Sequence, residues 1–384
     1  MEPLIGSYRR LCTPLSLFLL VGIFFTGALA ATDTSQPIRV QGPGIRPHLA
    51  FACCEHGIEG MQSVFADPGL IASLRELQAM IAIPILDFSS ERAAVVRRLN
   101  QESVPAIAWI VLPKEQGYYL TADNEQETVN WVQRFEKWTH DEGLRWIAVG
   151  LDIEPNFAEL VKLQGHPWRL FTTLLGRSMD SGRIRRACKA YSTLIESIRA
   201  RGYVVQIYQM PYIPAERRLH STLLDRLLGT VDARGDDEYV MLYTSNARPI
   251  GAGMIWSLGP GAHGIAIGST DGDSTPGTGN GPLDWNEFSR DLIVASHFSG
   301  RIGVYDLEGC IRQGFLPRLL TMDWNESVEI PAASVRRAAR FGFLVRSGLW
   351  IGSNFLYLFA VGFLCAVLIW WRWRTSRNVS GTRR

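Results

Sequence analysis

Trp146-Ile147-Ala148-Val149-Gly150-Leu151-Asp152-Ile153-Glu154-Pro155 decides how the chain is read. With the period of two that a strand imposes, Trp146, Ala148, Gly150, Asp152 and Glu154 share one face, and Ile147, Val149, Leu151 and Ile153 share the other. One face is bulky and apolar, while the other is small and then acidic. An inner strand of an α/β barrel has this pattern: branched residues lie under the outer helices, small residues face the lumen, and carboxylates emerge at the C-terminal rim. Pro155 ends the strand. Two carboxylates two residues apart at such a rim are placed to protonate a leaving group or to hold a metal. The same residues also fit a turn leading into a helix N-cap, so the rest of the chain has to decide.

Working outward, the chain alternates strand and helix patterns. Strands are expected at residues 48–53, 81–87, 105–112, 146–154, 203–210, 238–244, 263–269 and 301–306. Helical patterns fall at 67–80, 89–99, 125–142, 184–201, 217–228, 247–258 and 283–296, with a long insertion at 156–181. Eight strands alternating with helices over residues 48–328 predict a (β/α)8 TIM barrel, class α/β. The period-two rule carries over to other strands. Gly264, Ala266 and Gly268 alternate with Ile265 and Ile267, and Ala50, Ala52 and Cys54 alternate with Leu49, Phe51 and Cys53.

The ends differ from the body. Arg9 and Arg10 precede an apolar run and Ala28-Leu29-Ala30, which predicts a signal peptide or signal anchor at residues 1–30, followed by a polar lead at 31–47. Residues 349–371 form an uncharged apolar run long enough to span a bilayer, preceded by a juxtamembrane segment at 329–348. The run closes on Trp370, Trp371 and Trp373 and leads into a basic tail, 372–384. Both ends predict a single-pass cell-membrane protein, with its barrel on the extracytoplasmic, periplasmic side and its C-terminus in the cytoplasm. Setting the seven terminal arginines and Glu2 aside leaves 32 basic against 36 acidic residues in the body. A mildly acidic body argues against nucleic acid as a partner. The lipid bilayer and a membrane protein partner are the expected contacts.

Strands one and eight are neighbours in a closed barrel, so Cys53 or Cys54 falls near Cys310. We expect a disulfide between Cys54 and Cys310, because Cys54 shares the lumen-facing parity. Export permits such a bond.

Functional residues of barrels gather at the C-terminal rim. Strand ends supply Glu55, His56, Asp87, Lys114, Glu115, Asp152, Glu154, Tyr208, Gln209, Tyr212, Tyr243, Asp271, Asp273, Asp306 and Glu308, with Trp109 in the third strand. Acids and aromatics suit sugars, whose rings offer apolar faces and hydroxyls. A polysaccharide or oligosaccharide is therefore the expected ligand, with Tyr243, Tyr208, Gln209, Tyr212, Asp87, Trp109, Asp306 and Glu308 as substrate-binding candidates.

Leu151-Asp152-Ile153-Glu154, together with Met241-Leu242-Tyr243, resembles the chitinase-type family of glycoside hydrolases. The resemblance implies Glu154 as general acid, Asp152 as its electrostatic partner and Tyr243 as a hydrogen-bond donor to the reacting sugar. The chain departs from the family pattern at three positions. Gly150 stands where the family has a further Asp, Ile147 replaces the first acid of the longer signature, and Thr244 follows Tyr243 where an Asp is expected. A second catalytic function would come from a substrate N-acetyl group, or from Asp306, Glu308 or Asp87. No cofactor is expected. A barrel that binds glycan or protein without turnover, and a metal-dependent hydrolase using Asp152, Glu154 and His56, are the competing readings.

Overall fold

A computed structural model describes residues 36–53, 57–156, 159, 166–248, 250–271 and 281–380. The expected signal peptide, Cys54, Glu55, His56, Asp273 and residues 381–384 lie outside them.

Eight strands pair in parallel and close into a barrel in sequence order. They are β2 (His48–Ala52), β3 (Met80–Pro84), β4 (Ala106–Ile110), β5 (Ala148–Ile153), β6 (Val204–Gln209), β7 (Asp237–Met241), β8 (Gly264–Gly268) and β9 (Arg301–Tyr305). Closure is direct: Leu49 of β2 pairs in register with Ile302 of β9. Two further strands, β1 (Ile38–Gln41) and β10 (Ser327–Ile330), form an antiparallel pair outside the barrel. The segment expected to be a plain polar lead thus contributes a strand that ties the chain's start to residues beyond the last barrel strand.

Around the barrel run α1 (Ile58–Ala66), α2 (Pro68–Glu76), α3 (Ser90–Gln101), α4 (Glu125–Asp141), α5 (Pro167–Met179), α6 (Ser181–Ala200), α7 (Ile213–Leu219) and α8 (Leu223–Leu228). α9 (Gly251–Leu258), α10 (Trp285–Ser296), α11 (Leu307–Arg312), α12 (Phe315–Leu320), α13 (Ala332–Ser353) and α14 (Phe355–Ser380) follow. The single helix expected at 217–228 is two. His220 takes a left-handed conformation (φ 49°) and closes α7. α1 was not expected, and the insertion after the acidic strand contains α5.

Side-chain parity organises the packing. Leu49, Phe51, Ile81, Ile83, Val149, Leu151, Val205, Ile207, Ile265 and Ile267 belong to the large core between strands and helices. Ala50, Ala82, Ile107, Trp109 and Ala148 fill the lumen. Large lumen side chains sit against missing ones: a Cβ added to Gly264 would come within 2.5 Å of the Tyr239 ring. Trp146 breaks the expected parity. It precedes β5, is buried beside Phe135 and Trp138 of α4, and its indole donates to Thr139 Oγ1 at 3.1 Å.

The apolar run at 349–371 is divided by Asn354 between α13 and α14, which meet at a bend of 69°. Among the described residues no single helix is long and apolar enough to cross a membrane, although this bent pair is so taken together. The expected juxtamembrane segment is largely α13.

Candidate active site

β5 delivers its acids as its parity requires. Asp152 and Glu154 are both buried at the strand's C-terminal end. The loop before α4 holds that end in place: Leu120 N donates to the Asp152 carbonyl at 2.9 Å, and Leu120 bridges Ile153. On the neighbouring strand Trp109 pairs in register with Gly150, and its indole donates to Asp152 Oδ2 at 3.1 Å. An indole N–H fixes the carboxylate's orientation without neutralising it.

Two adjoining hollows open over the barrel's end, and both are lined by Met241 and Tyr243. One contains Asp152 beside Trp109, Tyr208 and Tyr305. The other contains Glu154 among Met210, Met241 and Met254, with Asn246. Tyr243 stands between them, its ring 5.5 Å from that of Tyr305. The expected acid pair and aromatic donor therefore converge on one end of the barrel.

Packing fixes the residue type at Gly150 and Thr244. A Cβ on Gly150 would lie 2.7 Å from Tyr208 Cε2. The Tyr208 ring thus fills the space that a further acid would need, and its hydroxyl donates to Gln206 Oε1 at 3.0 Å. Burial, then the neighbouring Tyr239 and Asp152, pushes the Tyr208 phenol well above its ordinary range, so it stays neutral. Thr244 points into the helix layer, where its hydroxyl donates to the fully buried Asp291. An aspartate at 244 would set two buried carboxyls face to face.

Behind the Glu154 hollow lies a polar chain. The Tyr212 hydroxyl is 2.9 Å from Thr230 Oγ1, which donates to Asp225 Oδ1 at 2.6 Å. Burial, then the charge of Glu216, pushes Asp225 up to about 7. Glu216 is itself buried and accepts from Leu224 N and Asp225 N at 2.9 and 3.0 Å. Tyr212, raised by burial and by the nearby acids Asp225, Glu216 and Glu154, remains a neutral donor.

Other candidates have local duties. Gln209 faces outward, with its amide nitrogen 3.5 Å from Glu238. Asp87 accepts from Arg92 Nη2 at 2.8 Å and from Ser89 N at 3.0 Å, at the start of α3. Asp306 caps α11, accepting from Gly309 N at 2.8 Å, and Glu308 lies within that helix. Neither lines either hollow. Lys114 and Glu115 are exposed in a short 3-10 turn, and Asp271 pairs with Arg312. Cys310, the expected partner of Cys54, is a buried free thiol with Sγ 3.6 Å from Thr270 Oγ1. Among the described residues no group of three His, Cys, Asp or Glu side chains is placed to hold a metal.

Tyr305 and Tyr239 escaped the sequence reading although parity marks them, since Arg301, Gly303 and Tyr305 alternate inward along β9. The methionine lining of Glu154 and the Thr230–Asp225 chain come from separate segments and left no local signal.

No family profile matches the chain, and no curated protein matches its sequence. Among solved structures, the chain is similar to the PgaB (BpsB) glycoside hydrolase domain from Bordetella bronchiseptica, at 8% identity and TM-score 0.43. That match covers 72% of this chain and 98% of the other. An exo-β-1,4-mannosidase from Opitutaceae bacterium strain TAV5 matches at 9% identity and TM-score 0.37, covering 84% and 63%. A D-allulose 3-epimerase from Methylomonas sp. matches at 13% and 0.37, covering 79% and 98%. Likeness at this level is one of barrel architecture and does not bear on the chemistry.

Proposed function

We propose that the barrel is a glycan-active domain of glycoside hydrolase type, with Glu154 as general acid. The observation that carries this reading is that Asp152, beside Trp109, Tyr208 and Tyr305, and Glu154, among methionines, occupy two hollows that share Met241 and Tyr243 as walls. Tyr243 and Tyr305, half-buried with rings 5.5 Å apart, offer faces on which a sugar stacks, and the acids reach from the same strand end. The methionine lining favours the neutral form of a carboxyl, which a general acid needs before it protonates the glycosidic oxygen. Asp152, held by Trp109, supplies the negative charge that stabilises an oxocarbenium-like centre. With Asp306 and Glu308 outside both hollows and Asp87 paired with Arg92, a substrate N-acetyl group is the favoured second function.

The likeness to the chitinase-type family belongs to this proposal, as does the placement of the barrel outside a bilayer. The bent pair α13–α14, with tryptophans and arginines in the sequence at its end, supports a membrane anchor whose C-terminus lies in the cytoplasm.

One observation favours a second reading, a barrel that binds glycan without turnover: the Tyr208 ring occupies the space over Gly150 where the resembled family has a further Asp. Incubating the full chain in detergent with a panel of N-acetylated and neutral polysaccharides, and measuring both binding and new reducing ends, separates the two. New reducing ends support the hydrolase, whereas binding without them supports the second reading. Neither signal with any glycan removes both.

A further inference from the structure

The long helix α13 does not leave the barrel at its base. It starts against α9, where Gly253 N donates to Ser334 Oγ at 2.9 Å. Gly253 adjoins Met254, a wall of the Glu154 hollow. α13 then runs about 33 Å, at 1.5 Å per residue, past α7 to α8, where a side chain at Gly352 would collide with Leu223. One turn further along α8, Arg226 donates to the Ser178 carbonyl of α5. The end of α5 and the α13–α14 junction are therefore separated by a single helix.

Both elements expose large apolar side chains to solvent. On α5, Trp168, Phe171, Leu175 and Met179 recur at helical spacing and are exposed, Trp168 at 75% and Met179 at 80%. Trp168 and Phe171 stack at 5.6 Å. On α13, Phe343, Leu344, Trp350 and Ile351 are exposed beside the exposed Arg340 and Arg346. Neither helix contains an Asp or Glu. Apolar and aromatic residues mixed with arginine on α13, and the apolar stripe of α5 beside the exposed Arg169, match the boundary of an anionic bilayer, where the rings enter the acyl edge and the guanidinium groups meet phosphates. Continuity with α14, which follows one residue after α13, selects lipid over a protein partner.

We infer that α5 and α13 together form an interfacial membrane-docking surface for anionic lipid, which seats the catalytic end of the barrel beside the bilayer instead of holding it away on a stalk. The inference rests on the bilayer reading of α14 and deepens it.

The test uses the full chain in nanodiscs of phosphatidylethanolamine and phosphatidylglycerol, with an environment-sensitive fluorescent amino acid at one position at a time. Leu175 reports on α5, Phe363 on α14, and Lys137, exposed on α4, serves as the aqueous control. The expected result is that brominated lipid quenches the probe at Leu175 and at Phe363 but not at Lys137, and that replacing phosphatidylglycerol with phosphatidylcholine weakens quenching at Leu175 alone. Quenching at Phe363 with the Leu175 probe open to aqueous iodide would overturn the docking surface and leave the anchor standing. A Leu175 probe shielded from both iodide and brominated lipid would overturn it in favour of a contact between copies. An unquenched Phe363 would remove the bilayer reading itself.

Discussion

The Tyr208 ring lies directly over Gly150, so close that a Cβ there would come within 2.7 Å of Cε2. Gly150→Ala is expected to destabilise the barrel by about 1–3 kcal/mol, the usual cost of overpacking a filled core. Tyr208→Ala opens that space, so the two substitutions together should cost less than their sum. Chemical denaturation of the four proteins in the cycle measures this. Strict additivity would mean that the ring does not set the size of residue 150.

The Trp109 indole holds one carboxylate oxygen of Asp152. Trp109→Phe keeps the ring but loses the indole donor to Oδ2. Loss of one hydrogen bond to a charged group corresponds to about 1.5–3 kcal/mol. Under the hydrolase reading, turnover should fall by roughly tenfold or more with little change in KM. An unchanged rate constant would show that Asp152 needs no such positioning.

Much of this arrangement is legible in the sequence. Period two in residues 148–154, and again in 264–268, locates the lumen and the rim without coordinates, because a strand's geometry leaves side chains no other choice. Trp146 shows where the rule stops: it lies before the paired strand begins and turns to the aromatic face of α4. Gln209 and Asp87 were gathered by their position at strand ends, yet Gln209 falls on the outward parity and Asp87 faces an arginine five residues on. The Tyr212–Thr230–Asp225 chain and the three methionines around Glu154 depend on how separate loops fold back over the barrel, which no local pattern encodes.

Acid titration should expose the Asp87–Arg92 pair. Burial alone would raise Asp87, but hydrogen bonds from Arg92 and Ser89 override it and hold the carboxyl at about 2, below its ordinary 3.8. A depressed folded value means that the stabilisation is fully present above pH 3.8 and is lost as pH falls towards 2. Asp87→Asn is expected to flatten the stability profile in that window, read by thermal unfolding at a series of pH values. An unchanged acid limb would contradict the assignment.

Asp225 should act in the opposite sense. Its folded value, about 7 against an ordinary 3.8, means the native state holds a proton that the unfolded chain has released. Stability therefore falls as pH rises from about 4 to 7 and levels off above that. Asp225→Asn keeps an acceptor for Thr230 and removes the ionisation, so this slope should diminish. Stability profiles that superimpose across the window would exclude a titrating Asp225.

Glu154 carries the account. The decisive measurement is the rate of reducing-end release from a polysaccharide by the full chain and by Glu154→Gln, with matched unfolding temperatures as the check on folding. The account predicts release by the native chain and a fall of at least about a hundredfold in the variant, the usual reach of general acid catalysis. Equal rates for the two proteins would contradict it.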